Sequence, residues 1–390
     1  MDFKRLLKTF LTVTTSVAII TATGCGNSNG STSTADGGSS NDDDYVLKVA
    51  YNNSLCEAPI QMGVELGYFE AEGLNVEMVK VDAAQMPEAI GSGQVDAGFG
   101  LLGKYLQPID NGLDIKITAG IHTGCVKVLV PADSDIKTVA DLKGKKVGTT
   151  GLGAAAPTIV TRRSLYHAGL KASADDCDVD FVVYSGSDLA QALANGAVDA
   201  IANGDPQASI AQEEYNLRAL IDTTTDDEYK DEYCCISFVT GDVAKNHPDI
   251  ADKFTKAVMK AAQYVEENPE EVAQIQIDKE WVAGDVESNA KILATYNYKP
   301  SVDGGYEALK ATVPDLQAIG LINPDRDPDE FIDSIAYKSD NLTNDVLNEG
   351  GSNDQAGDDS NSADLDCCAE TTQEECCETQ PVQTVADCCQ

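Results

Sequence analysis

Apolar and polar positions alternate over "VLKVAY" (46–51), the signature of a half-buried strand. The stretch "APIQMGVELGYFEAEGL" that follows has helical spacing, with Ile60, Val64 and Leu66 expected to face inward and Gly67 and Gly73 as stop signals. A second strand reads over "VEMVKV" (76–81), and "MPEAIGSGQVDAGFGLL" reads as a short helix, a glycine turn and a strand. The same grammar returns about a hundred residues later. "DFVVYS" (180–185) is a strand, and "SDLAQALANGAVDAIANGD" is again helix, glycine turn and strand, so that "GQVDA" (93–97) corresponds to "GAVDA" (196–200). Parallel strands need helical crossovers, which predicts two α/β lobes. Ligands of such sheets bind outside the carboxyl ends of the strands, so a cleft is expected between the lobes. "CVKVLVP" (125–131) is expected to lead from the first lobe to the second, and "CCISFVTG" (234–241) to lead back, as two hinge strands. From 246 to about 333 the pattern is mostly helical, with Ile250, Phe254, Val258, Ala261 and Val265 at core spacing.

The chain ends differ from this body. "MDFKRLLKTFLTVTTSVAIITATGCG" has a basic start and an apolar stretch too short to span a bilayer, followed by small residues before Cys25. This resembles a bacterial lipobox, with Ala22 where leucine is more usual. The resemblance implies cleavage before Cys25, a lipid on its sulfur and a protein held on the outer face of the cell membrane. The division expected is 1–24 signal peptide, 25–44 lipidated cysteine and Gly/Ser/Asn tether, 45–130 plus 238–338 first lobe, 131–237 second lobe, and 339–390 a disordered acidic tail. A net charge of -38, from 65 acidic against 27 basic residues, argues against nucleic acid as a partner.

Chemistry-bearing residues are few. The three histidines, His122, His167 and His247, are far apart, and no Ser-His-Asp, HExxH or paired-carboxylate signature stands out. "DLKGKKVGTTGLGAAAPTIV" reads as a strand, a glycine-rich turn and a helix beginning near Ala154 or Ala155. Backbone N–H groups there suit an anion, although the glycines are equally explained by close strand–helix packing.

Cysteines are the unusual feature. Of 12, five lie in the body (Cys56, Cys125, Cys177, Cys234 and Cys235) and six form tail pairs, Cys367-Cys368, Cys376-Cys377 and Cys388-Cys389. Because neighbours on a strand face opposite ways, only one of Cys234 and Cys235 is expected to meet Cys56 and Cys125. Three readings stand side by side: ligation of a soft metal ion or a trivalent metalloid, for which the metal-site expectation is Cys56, Cys125, Cys235 and the six tail cysteines; disulfides; and inert packing. Cys177 is read as a surface turn without a role. The tail pairs resemble those of arsenic metallochaperones.

The segments "YNNSLCEAPIQMGVELGYFEAEGLNVEMV", "AIGSGQVDAGFG", "KVLVPADSDIKTVADLKGKKVGTTGLGAAAPTIV" and "GAVDAIANGDPQASIA" together resemble the nitrate/sulfonate/taurine solute-binding proteins of ABC transporters, a superfamily that includes pyrimidine-precursor binders. The resemblance covers about 45 to 335. It implies a type II periplasmic-binding-protein fold and capture of a small, anionic or sulfur-related solute by lobe closure. It also implies delivery to a permease and its ATPase and action as a monomer. The superfamily includes intracellular pyrimidine-synthesising enzymes, but the export signal and the lack of a catalytic signature lead to the expectation of no catalysis and no cofactor. The alternative is a thiol-based receptor or surface metallochaperone for a thiophilic ion. By position in the family pattern, the cleft is lined from 53–58, 100–103, 122–125, 203–205 and 233–235, which selects Ser54, Cys56, Leu101, Leu102, Thr123, Gly124, Cys125, Asp205, Cys234 and Cys235. The glycine turn adds Thr150, Gly151, Gly153, Ala154 and Ala155, without the hydroxyls that sulfonate binders carry there. Asp205 also reads as a helix N-cap beside Pro206.

Overall fold

A computed structural model describes residues 45–82 and 85–347. The signal segment, the tether with Cys25 and the six tail cysteines lie outside the described residues. The strands are β1 (Val46–Tyr51), β2 (Asn75–Lys80), β3 (Ala97–Leu101), β4 (Ile115–Thr123), β5 (Val126–Pro131), β6 (Lys146–Thr149), β7 (Asp180–Val183), β8 (Ala200–Gly204), β9 (Leu217–Asp222), β10 (Tyr233–Thr240) and β11 (Tyr298–Ser301). They form two sheets, in the orders β11-β4-β10-β3-β1-β2 and β7-β6-β8-β5-β9.

The sheets share one plan. In each, three parallel strands are followed by a strand that enters from the other lobe and lies antiparallel beside the third: β10 beside β3, and β5 beside β8. The repeated "G-x-V-D-A" motif has the same task in both. Asp96 accepts a hydrogen bond from the Lys48 amide at 3.0 Å, and Asp199 accepts one from the Lys146 amide at 2.8 Å. Each aspartate thereby pins the start of the third parallel strand to the first. Gly93 and Gly196, in the turns just before, take left-handed φ values of 72° and 71°.

The lobe boundaries differ from the expected ones. The strand Val126–Pro131 belongs to the second sheet and Tyr233–Thr240 to the first, so neither strand crosses. The chain crosses at Gly124 and Cys125 and again over 223–232. The physical reason is pairing: a strand begins only once its backbone groups find a ladder in the new sheet. The first helix is also shorter than its pattern. It ends at Glu65, and Gly67 at φ 75° starts a second helix, Tyr68–Ala71. Phe69 takes the inward position and stacks on Phe254 at 5.8 Å, which leaves Val64 and Leu66 at 39% and 38% exposure. The long helix Pro248–Glu267 buries Ile250, Phe254, Val258, Ala261 and Val265 as its spacing predicts.

Order also extends past Lys338. Leu342 and Val346 are buried in the first-lobe core, and Asn344 caps the helix Val302–Ala318 through Ser301, Val302 and Asp303. Truncation after Lys338 is expected to cost roughly 3–6 kcal/mol from the two apolar side chains alone. Truncation after Leu347 should leave that packing intact; chemical denaturation of the two truncated chains measures the difference.

Candidate functional site

The two crossovers touch. Thr223 Oγ1 accepts hydrogen bonds from the amides of Cys125 and Val126, both at 3.0 Å. Gly124, at φ 50°, lies so close to the Thr223 and Thr224 backbone that no Cβ fits. The cleft floor is therefore one clasped unit. Above it the lobes leave a small, partly open cavity of about 40 Å³, room for a few waters. Leu101, Leu102 and Cys234 line it, as the sequence leads one to expect. Ala156, Ile159, Val160 and Arg163 line it too, one face of the helix Ala156–His167.

Arg163 was missed from sequence, and the signal was an arginine pair inside an otherwise apolar helical run. Its guanidinium forks onto Glu232 at 2.6 and 2.9 Å and reaches Asp315 at 2.8 Å. Asp315 lies on the first-lobe helix Val302–Ala318, so this buried contact bridges the lobes. His167 extends it, with Nε2 3.0 Å from Asp315 and Nδ1 paired to Glu228.

The glycine turn does not reach the cavity. The helix starts at Ala156, one or two residues later than expected, with Ala155 as N-cap. The Gly151 carbonyl accepts from Thr158, and Gly153, at φ 66°, faces Gln107 of the first lobe. Thr150 and Ala154 sit on the same partly exposed turn. Ser54 pairs with Cys56, Sγ to Oγ 3.1 Å, and Thr123 accepts from Asn297 at 3.1 Å. Asp205 is buried, and its Oδ1 accepts from the Ser209 amide and hydroxyl at 2.9 and 2.8 Å, which is capping work. Its Oδ2 has no hydrogen-bond partner and lies 3.9 Å from Lys127 Nζ. Burial pushes this carboxyl up, against Lys127 and Ser209.

The cysteines gather differently from the expected trio. Cys125 Sγ lies 3.5 Å from Cys234 and 4.0 Å from Cys235. Both members of the pair reach it because β10 shifts register against β4 at this point: Tyr233 faces Thr123 and Cys235 faces His122, so Cys234 is the extra residue of a bulge. Cys56 adjoins the group but falls outside the mutual 4.8 Å spacing of His122, Cys125, Cys234 and Cys235. All five described cysteines are unbridged in the structure. Burial would push the Cys234 thiol up, but hydrogen bonds from Cys125 and Cys235 outweigh it and bring it down to about 6. The hydrogen bond with Cys234 pushes Cys125 up to about 11. His122 is buried between the rings of Tyr296 and Tyr298, and its Nε2 and the Tyr296 hydroxyl have no hydrogen-bond partner.

The profile of the NMT1/THI5-like family matches residues 57–272, and the chain belongs to that family. A protein of Haemophilus influenzae assigned to thiamine biosynthesis is 27% identical over 223 residues, 56% of this chain and 67% of that protein. A 4-amino-5-hydroxymethyl-2-methylpyrimidine phosphate synthase of Saccharomyces cerevisiae is 26% identical over 238 residues, 56% of this chain and 66% of the synthase. Among solved structures, the periplasmic aliphatic sulphonate-binding protein of Escherichia coli superposes with a TM-score of 0.61 at 19% identity, covering 81% of this chain and 98% of that one. The two-lobed fold is thus that of the periplasmic binding proteins.

The lobe-bridging histidine gives a pH signature. Burial would lower the His167 pKa, but Glu228 and Asp315 outweigh it and raise the group above 6.5. Its contribution to stability is therefore full below about 6.5 and is lost as pH rises through the higher folded value. Denaturation midpoints of the native chain should fall across that window more than those of His167→Gln. Equal slopes would show that the bridge adds nothing.

Proposed function

We propose that this chain is the extracytoplasmic solute-binding protein of an ABC importer, which closes its lobes on a small molecule and hands it to a permease driven by an ATPase. The supporting observation is the cavity between the lobes, lined by Cys234, behind which His122 Nε2 and the hydroxyl of the stacked Tyr296 are buried without hydrogen-bond partners. Unpaired buried polar atoms are costly, and a ligand supplies the partners they lack. The lipobox-like run before Cys25 supports an anchor on the outer face of the membrane, and moving the protein from the membrane to the soluble fraction by Cys25→Ser tests it.

The solute that the family suggests is a nitrate- or sulfonate-like anion. The charge around the cavity disfavours one. Arg163 is held by two carboxylates, and Lys127 by Asp205 and Asp222. Glu57, buried and pushed well above the usual carboxylate range by burial, adds no positive charge, and Lys104 beside it is the nearby cation outside these ion pairs. A neutral or soft species fits this floor better. Binding without turnover separates the reading from that of the synthases among the relatives.

The experiment is thermal melting of the reduced full-length chain against nitrate, taurine, alkanesulfonates, pyrimidines, arsenite and cadmium. One class at a hundred times its Kd should add about 2.7 kcal/mol, a shift of several degrees, and be recovered unchanged. Chemical conversion of the bound compound would overturn the proposal.

A further inference from the structure

We infer that Cys125, Cys234 and Cys235 form a three-sulfur site for a trivalent metalloid hydroxide, which makes such a species the solute of the cleft; this rests on the receptor reading above. Cys125 stands on the first crossover, and the pair opens β10 directly after the second. A pyramidal centre about 2.3 Å from each sulfur, with angles of about 95–110°, needs sulfurs about 3.4–3.8 Å apart. Cys125 stands 3.5 Å from Cys234 and 4.0 Å from Cys235, and the three sulfurs lie within 4.8 Å of one another, close to that spacing. Cys234 also lines the cavity, which gives the ion a way in.

His122 argues for three ligands rather than four. Its Nδ1 lies 2.9 Å from the Thr123 carbonyl. A carbonyl only accepts, so Nδ1 carries the proton. A metal at Nδ1 would need that proton removed to Nε2, which has no hydrogen-bond partner. A three-coordinate, pyramidal centre makes no such demand. The acidic surroundings point the same way, because a neutral trihydroxide enters without needing a free cation.

The exchange balances without an oxidant. Each sulfur forms a bond to the metalloid as one metalloid–oxygen bond breaks. The thiol proton leaves with the hydroxide as water, so three waters are released and the oxidation state is unchanged. Since Cys125 stands on the first crossover and the pair on the strand that leaves the second, the bound centre ties the two paths together.

The test uses the reduced full-length chain with Cys367, Cys368, Cys376, Cys377, Cys388 and Cys389 changed to serine, so that tail thiols do not compete. The probes are sodium arsenite and, separately, cadmium; the readouts are thermal melting and thiols protected from a thiol-reactive dye. Arsenite should raise Tm and protect three thiols. Cys125→Ser and Cys234→Ser should each weaken it at least ~10-fold, and Cys177→Ser should not. Should Cys125→Ser fail to fold, Cys234→Ser, at a partly exposed position, carries the comparison. Arsenite binding that vanishes with the tail cysteines, or survives both cleft substitutions, overturns the site. So does cadmium binding that depends on His122 without arsenite binding. If a sulfonate or pyrimidine stabilises the chain and arsenite does not, the metalloid inference falls and the receptor reading stands; if no solute stabilises it, both fall.

Discussion

Where β4 ends at Thr123 and β5 begins at Val126, two residues carry the chain from one sheet to the other, and the return path over 223–232 is bound to them through Thr223. This clasp sets where the lobes can move and what they can enclose. Gly124 is required because a side chain there would push the crossovers apart. The antiparallel strands that follow each crossing slot beside the third parallel strand of the receiving sheet, so one topology is built twice and the two carboxyl-end surfaces face each other.

Charge then decides how the cleft is held and what it accepts. The Arg163–Glu232–Asp315 contact joins the helix Ala156–His167 to the first lobe inside a poorly solvated region, where removing one partner would strand the others. The same contact takes up the Arg163 guanidinium, which an anionic solute in the cavity would otherwise meet. The floor is left with thiols, an imidazole and a tyrosine hydroxyl, a donor set better matched to a soft or neutral species than to a hard anion. The family spans binding proteins and synthases on one scaffold, so the groups on the floor, not the fold, carry the functional argument.

Much of the architecture was legible in the sequence, because alternation and helical spacing report burial directly. The repeated "G-x-V-D-A" motif was visible, and only the structure shows that its aspartates pin neighbouring strands. The lobe boundaries were misplaced because pattern marks where a strand is, not which sheet supplies its partners. The cysteine pair was legible as unusual, but strict alternation placed one thiol away from the group. A bulge depends on register, which one sequence does not reveal, and it brought Cys234 alongside Cys125. Cys56 was included on position alone and lies outside the set, and His122 joined it through the fold. Arg163 went unnoticed because its carboxylate partners lie 69 and 152 positions away.

The central claim is that ligand binding at the crossovers closes the two lobes. Small-angle X-ray scattering of the reduced full-length chain, recorded with and without whichever solute stabilises it, measures this directly. The account predicts a smaller radius of gyration when the solute is bound, lost when Asp315→Asn or Cys125→Ser weakens the joined cleft. Saturable binding with an unchanged radius of gyration would contradict it.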